Sequence, residues 1–207
     1  WPETAVPFYL QQDSALRRRI SAFCREREIP LLTGAPGYKR TNNSTRLYNR
    51  AYLLNEKGRI SASYAKTHLV PFGEYVPLGS WLPYVDKLVP GMGDFSPGRH
   101  PGPMAHGDLA LGPLICYEII FPRIVQERVH NGANLLINIS NDAWFGRSSG
   151  PRQHWNQAVL RAVEQGRYLI RSTNTGISGL IGPRGRVARR SSLYTNATQI
   201  HSVRLLH

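Results

Sequence analysis

Apolar residues return along this chain with two alternating periods, and that alternation predicts layered α/β structure. From Asp13 to about Glu28, Leu16, Ile20, Phe23 and Cys24 recur at helical spacing with arginines opposite. Asp13 or Ser14 is suited to cap that helix. Ile29 to Ala35 has a buried-strand pattern ending at Gly34 and Pro36-Gly37. Leu47 to Leu54 and Ile60 to Tyr64 flank Asn55-Glu56-Lys57-Gly58, a composition that suits a hairpin turn. Trp1 to Ala5 reads as the end of a strand whose beginning is missing.

The pattern then breaks. Lys66 to about Gly107 is rich in proline, glycine and aromatics with little regular periodicity. A stretch of that length inside a compact chain usually serves as a lid or binding arm. Periodicity resumes with a core strand from Leu109 to Cys116, a helix from about Phe121 to His130 and a strand from Ala133 to Ile139. An amphipathic helix from Pro151 to Gln165 follows, then strands Tyr168 to Ser172 and Ile177 to Ile181 and a tight turn at Gly182-Pro183-Arg184-Gly185.

Composition narrows the class. The 207 residues, 41% hydrophobic and 19% charged, predict one folded domain over 1–207 rather than a disordered chain. No apolar run approaches the ~20 residues that cross a bilayer, and Trp1-Pro2-Glu3 lacks the pattern of a leader. A first residue other than Met predicts a segment of something longer. The net charge of +13 is almost all arginine, since lysine stands only at 39, 57, 66 and 87. These arginines are dispersed and belong to no nucleic-acid-binding motif, so no nucleic-acid partner is expected. A basic surface facing anionic lipid fits the charge as well as a solvated one does. Two cysteines form no disulfide framework, and the seven histidines have no metal-ligand spacing, so neither metal nor cofactor is expected.

The candidate chemistry lies at element ends. Cys116 stands where an apolar strand meets a helix, a junction that projects a nucleophile, bares the following N–H groups and lowers a thiol pKa. A buried structural cysteine fits the same position. Lys66, at a strand end, can neutralise an oxyanion or hold a thiolate. Glu3, between apolar residues, can exchange a proton. Glu74 and Glu118 lie close in sequence to Lys66 and Cys116 and can orient Lys66 or Tyr117. Asn141-Asp142-Ala143-Trp144-Phe145-Gly146 reads as a substrate-facing loop or, equally, as a core plug.

Together these segments resemble the nitrilase (carbon–nitrogen hydrolase) superfamily, whose pattern of Glu, Lys and Cys at three strand ends is met by Glu3, Lys66 and Cys116. Cys116-Tyr117-Glu118-Ile119-Ile120-Phe121-Pro122 has the shape of its nucleophile segment. The resemblance implies a four-layer α-β-β-α sandwich. Lys66-Thr67-His68-Leu69-Val70-Pro71-Phe72-Gly73-Glu74-Tyr75-Val76-Pro77 is similar to the bacterial apolipoprotein N-acyltransferase branch. So are Trp1 to Ala5, Asn141 to Gly146 and Thr173-Asn174-Thr175-Gly176-Ile177-Ser178. That branch implies acyl transfer from a phospholipid, through a Cys116 thioester, to the α-amino group of an apolipoprotein's lipidated cysteine. Glu3 would be the proton carrier and Lys66 the oxyanion partner. Glu74, Tyr117 and Glu118 would support the site, and Phe72 and Trp144 would meet the lipid. It also implies a periplasm-facing domain of an inner-membrane enzyme, whose membrane helices and first strand are absent from this sequence. A soluble nitrilase-type amidase, with water as acceptor, is the alternative.

Overall fold

Strands of period two and helices of period 3.6 assort into four layers, α-β-β-α, in the computed structural model, which describes residues 1–42, 44–75, 95–99 and 102–206. The first layer is helix α1, Ala15–Arg27. The Ser14 hydroxyl accepts the Arg17 N–H at 3.1 Å, and the helix stops at Glu28 in the left-handed conformation. Behind it lies an antiparallel sheet in the order β1-β2-β3: Leu31–Arg40, Thr45–Leu54 and Ile60–Ala65. Leu31 pairs with Leu54 and Arg40 with Thr45, so the first two strands stay in register over their full length.

The third layer is a mixed sheet, order β4-β5-β6-β7-β8-β9. Its strands are Met104–His106, Leu109–Ile115, Leu135–Asn141, Leu169–Asn174, Gly179–Ile181 and Val187–Arg190. Only β5-β6 and β6-β7 run parallel. Helices α2, Pro122–His130, and α3, Gly150–Gln165, form the fourth layer.

Side-chain alternation along the strands sorts the core into three sheets of contact. On β2, Tyr52 and Leu54 face α1 with Cys24, whereas Ala51 and Leu53 face the second sheet. On β5, Ile115 joins that inter-sheet layer while Leu114 turns toward α2 and α3. Each fully buried Leu or Ile contributes roughly 1.5–3 kcal/mol. Because β5 is covered on both faces, Leu109–Ile115 reads as a nearly unbroken apolar run.

Four local expectations are corrected. Trp1–Ala5 is not a strand but a turn: Pro2 offers no N–H, its carbonyl accepts from Ala5 and Gly34, and Thr4 adopts φ +54°. Strand β1 does not end at Pro36-Gly37, because an edge strand tolerates a residue without an N–H. The irregular stretch after Lys66 contains β4, although residues 76–94 of the expected arm lie outside those described. Cys116 does not stand at a direct strand-to-helix junction, because a 3-10 turn over Cys116–Ile120 comes first and the expected helix follows as Pro122–His130. Among the described residues, no helix is long and apolar enough to cross a membrane.

Candidate active site

Three elements of the first half of the chain converge on one buried cluster. The Trp1–Ala5 turn lies against β1 so closely that a Cβ on Gly34 would stand 2.7 Å from the Glu3 Cα. Only glycine admits that approach. It carries the Glu3 carboxylate inward, where one oxygen accepts from Asn49 Nδ2 at 2.7 Å and the other from the Asn141 N–H at 2.8 Å. On β3, Ala62 and Tyr64 face the inter-sheet layer, and Lys66 continues the same alternation one step past the strand. Its ammonium lies 2.8 Å from Glu74 Oε2 and 3.8 Å from Glu3 Oε1. Asn49 Nδ2 donates to both carboxylates, reaching Glu74 Oε1 at 2.8 Å. The Val70 N–H completes the Glu74 cradle.

Two carboxylates and one ammonium thus share a water-poor space, each of them at least nine-tenths buried. Burial pushes the Glu3 pKa up, and the nearby Lys66 charge and the Asn49 hydrogen bond only partly offset it. For Lys66, burial acts downward, but the charges of Glu3, Cys116 and Glu74 together hold it above its ordinary value. The lysine therefore keeps its charge at neutral pH, and burial leaves Glu3 readier to take a proton than a carboxylate in water.

Cys116 enters from the second sheet, immediately after β5. Its backbone adopts φ +51°, a left-handed conformation that costs a non-glycine residue about 1–3 kcal/mol. The sequence reading expected the helix start to lower the thiol pKa. The structure reverses that: burial, then the charge of Glu3, pushes it up to about 12, against weaker opposition from Lys66 and Ser140. A five-residue 3-10 turn supplies little dipole to compete with desolvation. At rest the group is a neutral thiol beside a poised base.

Glu118 is fully buried and ties the two halves together. One oxygen accepts from the Tyr64 hydroxyl at 2.6 Å, the Thr67 N–H at 2.7 Å, the Thr67 hydroxyl at 2.8 Å and the His68 N–H at 3.2 Å. The other accepts from the Ile115 N–H at 2.8 Å. Glu118 therefore fixes the backbone around both Lys66 and Cys116 and does not orient Tyr117. That ring packs edge-on against Phe121, with centroids 5.0 Å apart. Glu74 does orient Lys66, as expected.

A second polar network lies under Cys116. The His154 ring faces the Cys116 carbonyl through Nε2 at 3.2 Å and Asp142 through Nδ1 at 3.0 Å. Arg171 grips both Asp142 oxygens and also donates to Asn138. These contacts hold the Asp142 pKa at about 2 in spite of burial, which acts upward. From this network the Asn141–Gly146 loop surfaces, with Trp144 77% exposed, and on the loop after Lys66 Phe72 is 65% exposed. Trp144 is thus no core plug.

The sequence reading named Glu3, Lys66, Glu74, Cys116 and Glu118, and the fold brings all five together. It missed Asn49, His154 and Arg171, and placed Asp142 only within the Asn141–Gly146 loop. For Asn49 there was a signal, a polar residue on the apolar-facing register of β2 two positions before Ala51. His154, Ala158 and Arg161 likewise share one buried face of α3.

The family model for carbon–nitrogen hydrolases matches residues 1–205. The chain belongs to the carbon–nitrogen hydrolase family. Among its relatives in that family is apolipoprotein N-acyltransferase of Geobacter metallireducens, 43% identical over 205 residues, covering 99% of this chain and 39% of the relative. The enzyme of the same name from Allorhizobium ampelinum is 43% identical over 210 residues, covering 98% of this chain and 38% of the relative. The chain therefore spans about two-fifths of the length of these relatives. Among solved structures, the nitrilase-superfamily amidase from Nesterenkonia sp. AN1 is similar, with a TM-score of 0.63 and 26% identity over 91% of this chain and 66% of that one. In that amidase the acetamide moiety of fluoroacetamide is covalently added at the active-site cysteine.

Proposed function

We propose that this carbon–nitrogen hydrolase domain is the acyl-transferring part of an apolipoprotein N-acyltransferase, with Cys116 as nucleophile, Glu3 as proton carrier and Lys66 as electrostatic stabiliser. The observation that carries the chemistry is the buried Glu3–Lys66–Glu74 cluster facing a neutral thiol held at φ +51°. Glu3 takes the thiol proton as sulfur attacks the ester carbonyl of a phospholipid. Negative charge passes from the carboxylate to the new oxyanion, beside the Lys66 ammonium and the Tyr117 N–H. Collapse breaks the ester bond, and the departing lysophospholipid oxygen takes the proton back from Glu3. A lipoprotein α-amine then attacks the thioester, gives its proton to Glu3, and the thiol reforms as the amide is released. Glu74, Asn49 and Glu118 hold the geometry, and Tyr117 packs beside it.

The acceptor and donor rest on the relatives' names and on Phe72 and Trp144, large apolar side chains standing in water within three residues of Glu74 and Asn141. By the same reading the domain works at the periplasmic face of the inner membrane, against phospholipid and apolipoprotein. An amidase reading is favoured by the solved neighbour but not by the higher identity to acyltransferases. Incubation with phospholipid and trapping of acyl-enzyme separates the two. A thioester lost in Cys116→Ala supports transfer. Rapid ammonia release from small amides, or acyl trapping that survives Cys116→Ala, overturns it.

A further inference from the structure

One buried, titratable side chain touches the candidate nucleophile and has no part in the chemistry so far. His154 is 4% exposed, on the inner face of α3, and its Nε2 lies 3.2 Å from the Cys116 carbonyl oxygen. A second donor, Asn138 Nδ2 on β6, reaches the same oxygen at 3.4 Å. Every group facing the ring restricts it. Arg171 on β7 stands 2.9 Å from Nδ1, Asp142 3.0 Å from the same atom, and Phe145 packs edge-on at 5.5 Å. The Cys116 carbonyl can only accept, so Nε2 carries the hydrogen that points at it, while Nδ1 lies between Arg171, a donor, and the Asp142 carboxylate, an acceptor. Burial, which acts first, holds the ring below its ordinary pKa, against the raising effect of Asp142.

The carbonyl of Cys116 and the N–H of Tyr117 belong to one rigid trans peptide and point in opposite directions. Pulling the oxygen down into the His154–Asn138 pair therefore turns the Tyr117 N–H away from the buried network. In the first turn of a 3-10 helix that N–H has no acceptor within the helix. We propose that His154 is a positioning residue of the acyl transfer: it locks the Cys116–Tyr117 peptide so that the Tyr117 N–H is aimed at the oxyanion of the tetrahedral intermediate. The inference rests on Cys116 being the nucleophile. It also accounts for the strained φ of Cys116, which a carbonyl held from below by two donors can sustain.

The test compares two reactions of the same thiol. Acylation by a p-nitrophenyl ester passes through an oxyanion, whereas alkylation by iodoacetamide is a displacement at carbon and forms none. His154→Phe keeps the ring's bulk and removes the donor, and His154→Gln restores a donor of similar reach. The expected result is acylation slowed roughly 10–100-fold in His154→Phe with alkylation unchanged within about twofold, and acylation largely recovered in His154→Gln. Equal loss in both reactions, or no loss in either, overturns the positioning role. Should His154→Phe not fold, His154→Met carries the same comparison with a more yielding apolar side chain. Wild-type protein that is alkylated elsewhere but never at Cys116 overturns the nucleophile reading and this inference with it.

Discussion

At Glu3 the protein keeps a carboxylate where water would not help it, and that sets the pH response. As the proposed base the group acts only when ionised, and burial raises its pKa above 4.5. The rate of thioester formation is therefore expected to fall as pH drops through that raised value, with an acid limb above 4.5. Stability has the opposite sign. The folded state holds this proton more tightly than the unfolded chain, so Glu3's contribution is full below 4.5 and is lost as pH rises through the folded value. Glu3→Gln is expected to slow acyl-enzyme formation about 10²–10⁴-fold and to remove the acid limb, as measured by burst kinetics across pH. An unchanged acid limb in the variant would assign it to another group.

Among the elements, the Trp1–Ala5 turn depends on a neighbouring strand for its function. Gly34 lets the turn seat on β1, and a methyl there would meet backbone at 2.7–2.9 Å, which cannot yield as a side-chain tip can. Gly34→Ala is expected to cost about 1–3 kcal/mol in urea unfolding and to lower acylation more than tenfold. The loss is local to the turn and β1, so Cys116 alkylation reports whether the second sheet survives. Much of the fold was legible because its signals were local. The period of Leu16 to Cys24, the hairpin residues after Leu54 and the apolar runs of β5 and β6 each needed only their own neighbours. Lys66, Cys116 and Glu3 were legible as residue types at element ends and by resemblance. What escaped the sequence was non-local. Pro36 looked like a terminator until β1 proved to be an edge, and the thiol pKa depended on burial and on the charge of Glu3, more than 100 positions away. The Asp142–His154–Arg171 network spans a loop, a helix and a strand, and no spacing in the chain announces it.

For the whole molecule, charge and exposed aromatics bear together on the proposed lipid surface. A net +13 draws the chain to anionic surfaces over about 10 Å at 0.1 M salt, and Phe72 and Trp144 add apolar contact that salt does not screen. Binding to vesicles containing anionic phospholipid is expected to weaken as salt rises but to keep a salt-resistant remainder. Phe72→Ser with Trp144→Ser should remove that remainder, each side chain being worth about 2 kcal/mol in lipid. Co-sedimentation at two salt concentrations reads both components, and a remainder unaffected by the double change would place the contact elsewhere.

The raised pKa of Cys116 has one more consequence, for the lifetime of the enzyme. Peroxides attack thiolates, and a thiol pushed up to about 12 offers almost none at neutral pH. In the proposed mechanism, Cys116 is charged only when a substrate carbonyl is there to receive the electrons. Between turnovers the fold stores that sulfur in its least oxidisable form. Local opening that separates the two sheets would return the thiol toward its ordinary value of ~8.5, and damage would then begin where the docking fails.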